Sequence, residues 1–153
     1  MCSIFSYVSQ KVTKDIWTKL KTGLTALEYK GHDLTGLAIF DKNSNRVNIL
    51  KGLGTVQDLE KSLDLSKNPL QGNIGIGYVT WTNEESLDEY SSHSDDYLVT
   101  GIFSGNVNNF LDIKDRLIAH GYAFYSKSNN EILVNLIDYF YKKEMISNKL
   151  RKK

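Results

Sequence analysis

The chain opens on an alternating stretch, Met1-Cys2-Ser3-Ile4-Phe5-Ser6-Tyr7-Val8. Ile4, Ser6 and Val8 alternate with Phe5 and Tyr7, a period of two that predicts a buried strand holding the amino terminus in place. The same stretch carries the only cysteine, Cys2. The residue after Met1 is small, so ordinary N-terminal processing would leave Cys2 with a free α-amine. One residue would then hold both a thiol nucleophile and a base titrating at about 7.7–8.0. The other reading of Cys2 is a thiol packed in an edge strand, the usual fate of an unpaired cysteine.

Further along, Val12, Ile16, Leu20, Leu24 and Leu27 recur at spacings of three and four and predict a helix over Lys11 to Lys30, stopped by Gly31. Gly36 to Phe40 and Arg46 to Leu50 flank the turn composition Asp41-Lys42-Asn43-Ser44-Asn45 and read as a hairpin. Val56 to Leu63 reads as one or two helical turns. Gly72 to Trp81 is a glycine-punctuated strand whose spacing is wrong for a dinucleotide loop, so its glycines are read as sites of close packing.

Residues 84–96 are acidic and polar, but they lack the offsets of a calcium loop and predict no metal site. Tyr97 to Phe103 reads as a strand. A helix follows, capped by Asn108 or Asn109 and running to His120. Tyr122 to Tyr125 reads as a short strand. Ser128 and Glu131 have the form of a capping box opening a last helix. The domain is placed at residues 1–141 and a basic, solvated tail at 142–153. This order gives an α+β chain with an antiparallel sheet.

At 153 residues the chain is one domain on the usual size expectation. Its net charge of +1 supplies no general phosphate-binding field and argues against nucleic acid as a partner. A single cysteine excludes an internal disulfide and fits a reducing compartment. With no signal-like start and no long apolar run, the expectation is a cytoplasmic protein without a membrane partner.

Five stretches, in order, resemble the class II glutamine amidotransferases. Cys2-Ser3-Ile4-Phe5-Ser6-Tyr7 resembles that family's opening Cys-Gly-Ile-Phe-Gly-Tyr, and Leu27-Glu28-Tyr29-Lys30-Gly31-His32-Asp33 resembles its Leu-Glu-Tyr-Arg-Gly-Tyr-Asp. Gly52 to Val56, Gly75 to Trp81 and His120 to Ser126 continue the match. The Leu-Glu-Tyr start is similar to the glutaminase domain of glucosamine-6-phosphate synthase. The resemblance implies an N-terminal nucleophile hydrolase-like αββα sandwich, here incomplete, because the family's domain continues with further strands. Some of the core sheet is therefore expected to be either missing or completed by a partner protein, and no cofactor is implied.

The resemblance also implies a site. Cys2 matches the nucleophile that attacks the glutamine amide, and Gly105 matches a glycine whose amide supplies one oxyanion donor. Ser104 stands where the side-chain oxyanion donor is an asparagine. Among the substrate-holding positions, Thr80 stands where an arginine precedes Trp81, Asn129 where an aspartate pairs with the glutamine ammonium, and Lys30 where an arginine follows the tyrosine. Asn83-Glu84-Glu85 replaces a Thr-His-Gly. Glutamine or another small amide is the implied ligand. Two functions follow as expectations: a binding or regulatory pseudo-glutaminase with impaired hydrolysis, or an active N-terminal cysteine amidohydrolase supplying ammonia to an aminotransferase.

Overall fold

Strand β4 (Gly72–Thr80) is the strand on which the first half of the chain is assembled, paired on one side with β1 (Cys2–Thr13) and on the other with β2 (Leu34–Asp41). The computed structural model describes residues 2–65, 69–81, 91–94, 98–126 and 128–151. Met1, Asn83-Glu84-Glu85 and most of the acidic 84–96 stretch lie outside the described residues. The chain divides into two compact units, Met1–Leu87 and Asp88–Lys153.

In the first unit β3 (Arg46–Leu53) pairs with β2 as the predicted hairpin, and the antiparallel sheet has the order β1-β4-β2-β3. The Asp41 carboxylate organises the hairpin turn, accepting from the Asn43 N–H, the Ser44 hydroxyl and the Gln71 amide. Helix α1 (Ile16–Thr25) buries Ile16, Leu20 and Leu24 completely against one sheet face. It can lie this close because β4 presents Gly75 and Gly77 there. A Cβ on Gly75 would come within 2.7 Å of Leu20, and one on Gly77 within 2.8 Å of Leu24. The close packing read from those glycines is thus side chain on strand. Helix α2 (Val56–Ser62) adds Val56 and Leu59 to the same core. The two helices are tied by Glu60, which accepts from the Trp17 indole N–H and pairs with Lys21.

Three expectations for this unit are corrected. The helix expected over Lys11 to Lys30 is shorter: the β-branched pair Val12-Thr13 stays in β1, and the Thr13 hydroxyl accepts from the Asp15 N–H to make the turn into α1. The helix ends at Thr25, and Glu28–Lys30 forms a separate 3-10 turn, because Glu28 turns to accept the Val56 N–H at the head of α2 (2.7 Å). In β1, Phe5 and Tyr7 pack toward the helices, whereas Ile4, Ser6 and Val8 lie on the other, exposed side.

The second unit holds a two-stranded antiparallel pair, β5 (Ser91–His93) and β6 (Thr100–Ile102), with helices α3 (Phe110–Ala119) and α4 (Asn129–Arg151). Residues 122–125 form no strand. They are held instead by side chains of α4: Asp138 accepts from the Tyr122 hydroxyl (2.7 Å) and Glu131 from the Tyr125 N–H (2.7 Å). The expected reciprocal capping box is replaced by a plain N-cap. The Ser128 hydroxyl accepts from the Asn130 N–H, while the Glu131 carboxylate is engaged by Tyr125 and Ser126. Helix α4 continues to Arg151, through most of the stretch read as a tail. Among the described residues no helix is long and apolar enough to cross a membrane.

The carboxylates of the first unit set its acid response. The Asp58 carboxyl is lowered to about 2, chiefly by the Thr55 hydroxyl it accepts from and then by Lys61. Glu60 is also lowered, first by Lys21 and then by Trp17. Folding lowers these values, so the unfolded chain takes up protons first as pH falls. The stabilisation is complete above the ordinary carboxylate range and is lost as pH approaches about 2. Thermal melts should therefore show Tm falling steadily from pH 5 to pH 2, and Asp58→Asn should flatten the most acidic part of that profile. A second expectation concerns packing: Gly77→Val should destabilise by about 1–3 kcal/mol in denaturant titration, by driving a branched side chain into Leu24.

Candidate functional site

Antiparallel pairing brings residues from three distant parts of the chain into one row at an end of the first unit's sheet. Cys2 is paired with Thr80, and Thr80 on its other side with Leu34. Directly opposed residues project to the same face, so the Cys2 thiol and the Thr80 hydroxyl share one side of the sheet. Cys2 is partly exposed, and its Sγ lies 4.0 Å from the Ser3 carbonyl. Thr80 is fully buried and donates to the Trp81 carbonyl (3.1 Å).

The segment Gly31-His32-Asp33 folds over the end of β4, with the Asp33 N–H donating to the Thr80 carbonyl (3.0 Å). Only glycine fits at position 31: a Cβ there would come within 2.5 Å of the backbone of Thr80 and Trp81. The close approach places the His32 ring edge-on to Trp81, with centroids 4.4 Å apart. Trp81 is 46% exposed, so this aromatic pair forms an accessible rim beside the Cys2–Thr80 row. Lys30 lies on the 3-10 turn, exposed, with its Nζ 5.5 Å from the centre of the Tyr29 ring. It is directed at an exposed aromatic ring, and no carboxylate pairs with it among the described residues.

The remaining predicted site residues belong to the second unit. Ser104 and Gly105 follow β6 and are exposed, with Gly105 packed over the Phe103 ring. Asn129 is the first residue of α4 and is partly exposed. The two segments are joined by Asn130, whose side-chain amide donates to the Phe103 carbonyl (3.4 Å), one residue before Ser104. Ser104-Gly105 and Asn129 are therefore neighbours through that link. Glu131 fixes the approach to Asn129 from the other direction, accepting from the Tyr125 N–H, the Ser126 N–H and the Ser126 hydroxyl.

Two participants escaped the sequence reading. His32 was legible only as part of a motif, since its contact with Trp81 depends on Gly31. Asn130 sits beside Asn129 in a run of polar residues, where nothing marks which of the two is buried. Among the described residues no cluster of histidine, cysteine, aspartate or glutamate could hold a metal ion.

No family model matches the chain. It is 33% identical over 149 residues to a glutamine–fructose-6-phosphate aminotransferase [isomerizing] of Clostridium acetobutylicum, covering 95% of this chain and 23% of that protein. The enzymes of the same name from Clostridium perfringens and Caldanaerobacter subterraneus are 32% and 34% identical over the same length. The chain thus spans about a quarter of the length of the curated relatives it matches. Among solved structures it resembles a glutamine phosphoribosylpyrophosphate amidotransferase from B. subtilis, with TM-score 0.64, 20% identity, 90% of this chain and 29% of that one. A structure described as the allosteric regulatory enzyme of purine biosynthesis matches with TM-score 0.65 and the same coverage. The structural likenesses establish an N-terminal nucleophile hydrolase-type fold, with which the antiparallel sheet and packed helices agree.

Glu131 provides a direct check on the second unit's part of the site. Glu131→Ala removes the acceptor for two backbone donors and one hydroxyl at a nearly buried position. It should cost about 2 kcal/mol or more in denaturant titration, because donors left without a partner keep their full desolvation penalty.

Proposed function

We propose that this chain, a class II glutamine amidotransferase-like domain by its relatives and fold, acts as a pseudo-glutaminase. It uses the amidotransferase fold to bind or regulate, and hydrolyses glutamine poorly or not at all. Thr80 carries the reading. Beside Cys2 in the ladder stands a fully buried neutral side chain whose hydroxyl donates to the adjacent carbonyl of Trp81. A glutamine α-carboxylate placed there would be desolvated without the cationic fork that anion recognition uses.

Three further positions support the same conclusion. Asn129 is a neutral amide and offers no countercharge to an ammonium group. Ser104 is shorter than an amide side chain, and loss of one oxyanion donor costs roughly 10²–10³ in rate. Lys30 keeps a positive charge but cannot grip a carboxylate as a planar fork does.

The second reading, an active N-terminal cysteine amidohydrolase, is favoured by one observation: the Cys2 thiol is partly exposed at the start of its strand. In that reading Cys2 attacks the amide carbon, its α-amine accepts the thiol proton, and the amide nitrogen leaves as ammonia once protonated. Water then cleaves the thioester. Gly105 and Ser104 would stabilise the oxyanion, and Trp81 would line the substrate's approach.

Two measurements separate these readings. Intact-mass analysis after incubation with a glutamine-like electrophile should show no adduct on folded protein, and ammonia release from glutamine should equal the no-enzyme blank. A single adduct on Cys2 with Met1 absent, together with turnover, would establish the amidohydrolase. In calorimetry the wild type should give no glutamine binding heat, whereas Thr80→Arg combined with Asn129→Asp and Ser104→Asn should tighten binding at least tenfold, about 1.4 kcal/mol. No gain in a folded triple variant would remove these residues from the site.

A further inference from the structure

We propose that the outer edge of β1 is a self-association surface whose occupant is the β1 strand of a second copy, paired antiparallel across a two-fold axis. Among the described residues the sheet runs β1-β4-β2-β3, so β1 is bonded to β4 on one edge and no described strand lies along the other. An unpaired strand edge offers a row of backbone donors and acceptors that templates another strand. Edge strands are ordinarily blunted by short length, proline or charge. β1 is 12 residues long, and between Cys2 and Gln10 it contains neither proline nor a charged side chain. β3, the other edge, carries Arg46 and Lys51.

The side chains specify which strand fits. About Ser6 the sequence is symmetric in kind: Ile4 and Val8 are β-branched, Phe5 and Tyr7 aromatic. An antiparallel pair of identical strands centred on Ser6 sets Ile4 opposite the second copy's Val8 and Phe5 opposite its Tyr7, with the two Ser6 residues facing each other. Such a contact is isologous, since every pair off the axis occurs twice. Both kinds of pair are among the favourable cross-strand combinations. Ile4 and Val8 are 44% and 71% exposed, on the sheet face opposite α1, so pairing covers apolar surface that each copy leaves in water. Phe5 and Tyr7 lie on the helix-facing side and would continue the core layer across the axis. Between Cys2 and Gln10 no charged side chains meet, because the first charged side chain is that of Lys11. The register break after Val8 in the β1–β4 ladder limits the regular pairing surface to this neutral segment.

The test uses the whole 153-residue chain. Sedimentation velocity between about 5 and 200 µM should show a reversible dimer, the range expected of a small interface. Val8→Lys should be monomeric throughout while keeping its circular dichroism and melting profile, since that side chain makes no core contact. Ser6→Cys in a Cys2→Ser background should form a disulfide-linked homodimer under mild oxidation, because facing Cβ atoms in an antiparallel pair lie near disulfide range. A monomeric wild type overturns the proposal. So does a dimer that persists in Val8→Lys and yields no Ser6→Cys cross-link. That outcome would place association elsewhere, for instance on Ile137, Phe140, Tyr141 and Met145 of α4, which are also exposed.

Discussion

The seating of α1 on β4 is the contact on which the first unit depends. Leu20 and Leu24 occupy the space left by Gly75 and Gly77, and the strand carrying those glycines is also the one that pairs with both β1 and β2. A single stretch therefore sets the sheet order, the depth of the helix and the place of Thr80 beside Cys2. Packing at close range explains why this works: interiors are filled to crystal-like density, so an added side chain on β4 would move the helix or the ladder. Glu60 and Glu28 then tie the second helix into the same assembly from opposite ends, one through Trp17 and Lys21, the other through the head of α2.

Features governed by neighbours in sequence were legible before the structure. The β2–β3 hairpin follows from its turn composition, and α2 (Val56–Ser62) lies within the helical turns read over Val56 to Leu63. Features decided by distant partners were not. Val12 fits the helical spacing of Ile16 and Leu20, yet it belongs to a strand. Glu28 and Glu131 both left their expected helical roles to satisfy backbone donors elsewhere. A charged side chain near several orphan N–H groups goes where the unsatisfied donors are, and local pattern cannot show that.

The candidate site was legible in the same uneven way. Its residues could be named from motif resemblance, but their environments could not. Thr80 is a fully buried hydroxyl committed to its own neighbour, and Lys30 is directed at an exposed tyrosine ring. His32 owes its place on Trp81 to a glycine one residue earlier. These environments bear on chemistry more than residue type does, because the same fold hosts sites of different capability.

The pairing of Cys2 with Thr80 also orders events in time. The amino-terminal strand has no described partner until β4 exists, so during synthesis that segment stays extended and unpaired while α1, the hairpin and α2 can already form from local contacts. Completion of β4 then draws that segment into the sheet. The ladder that positions the thiol is thus among the last parts of the first unit's sheet to close.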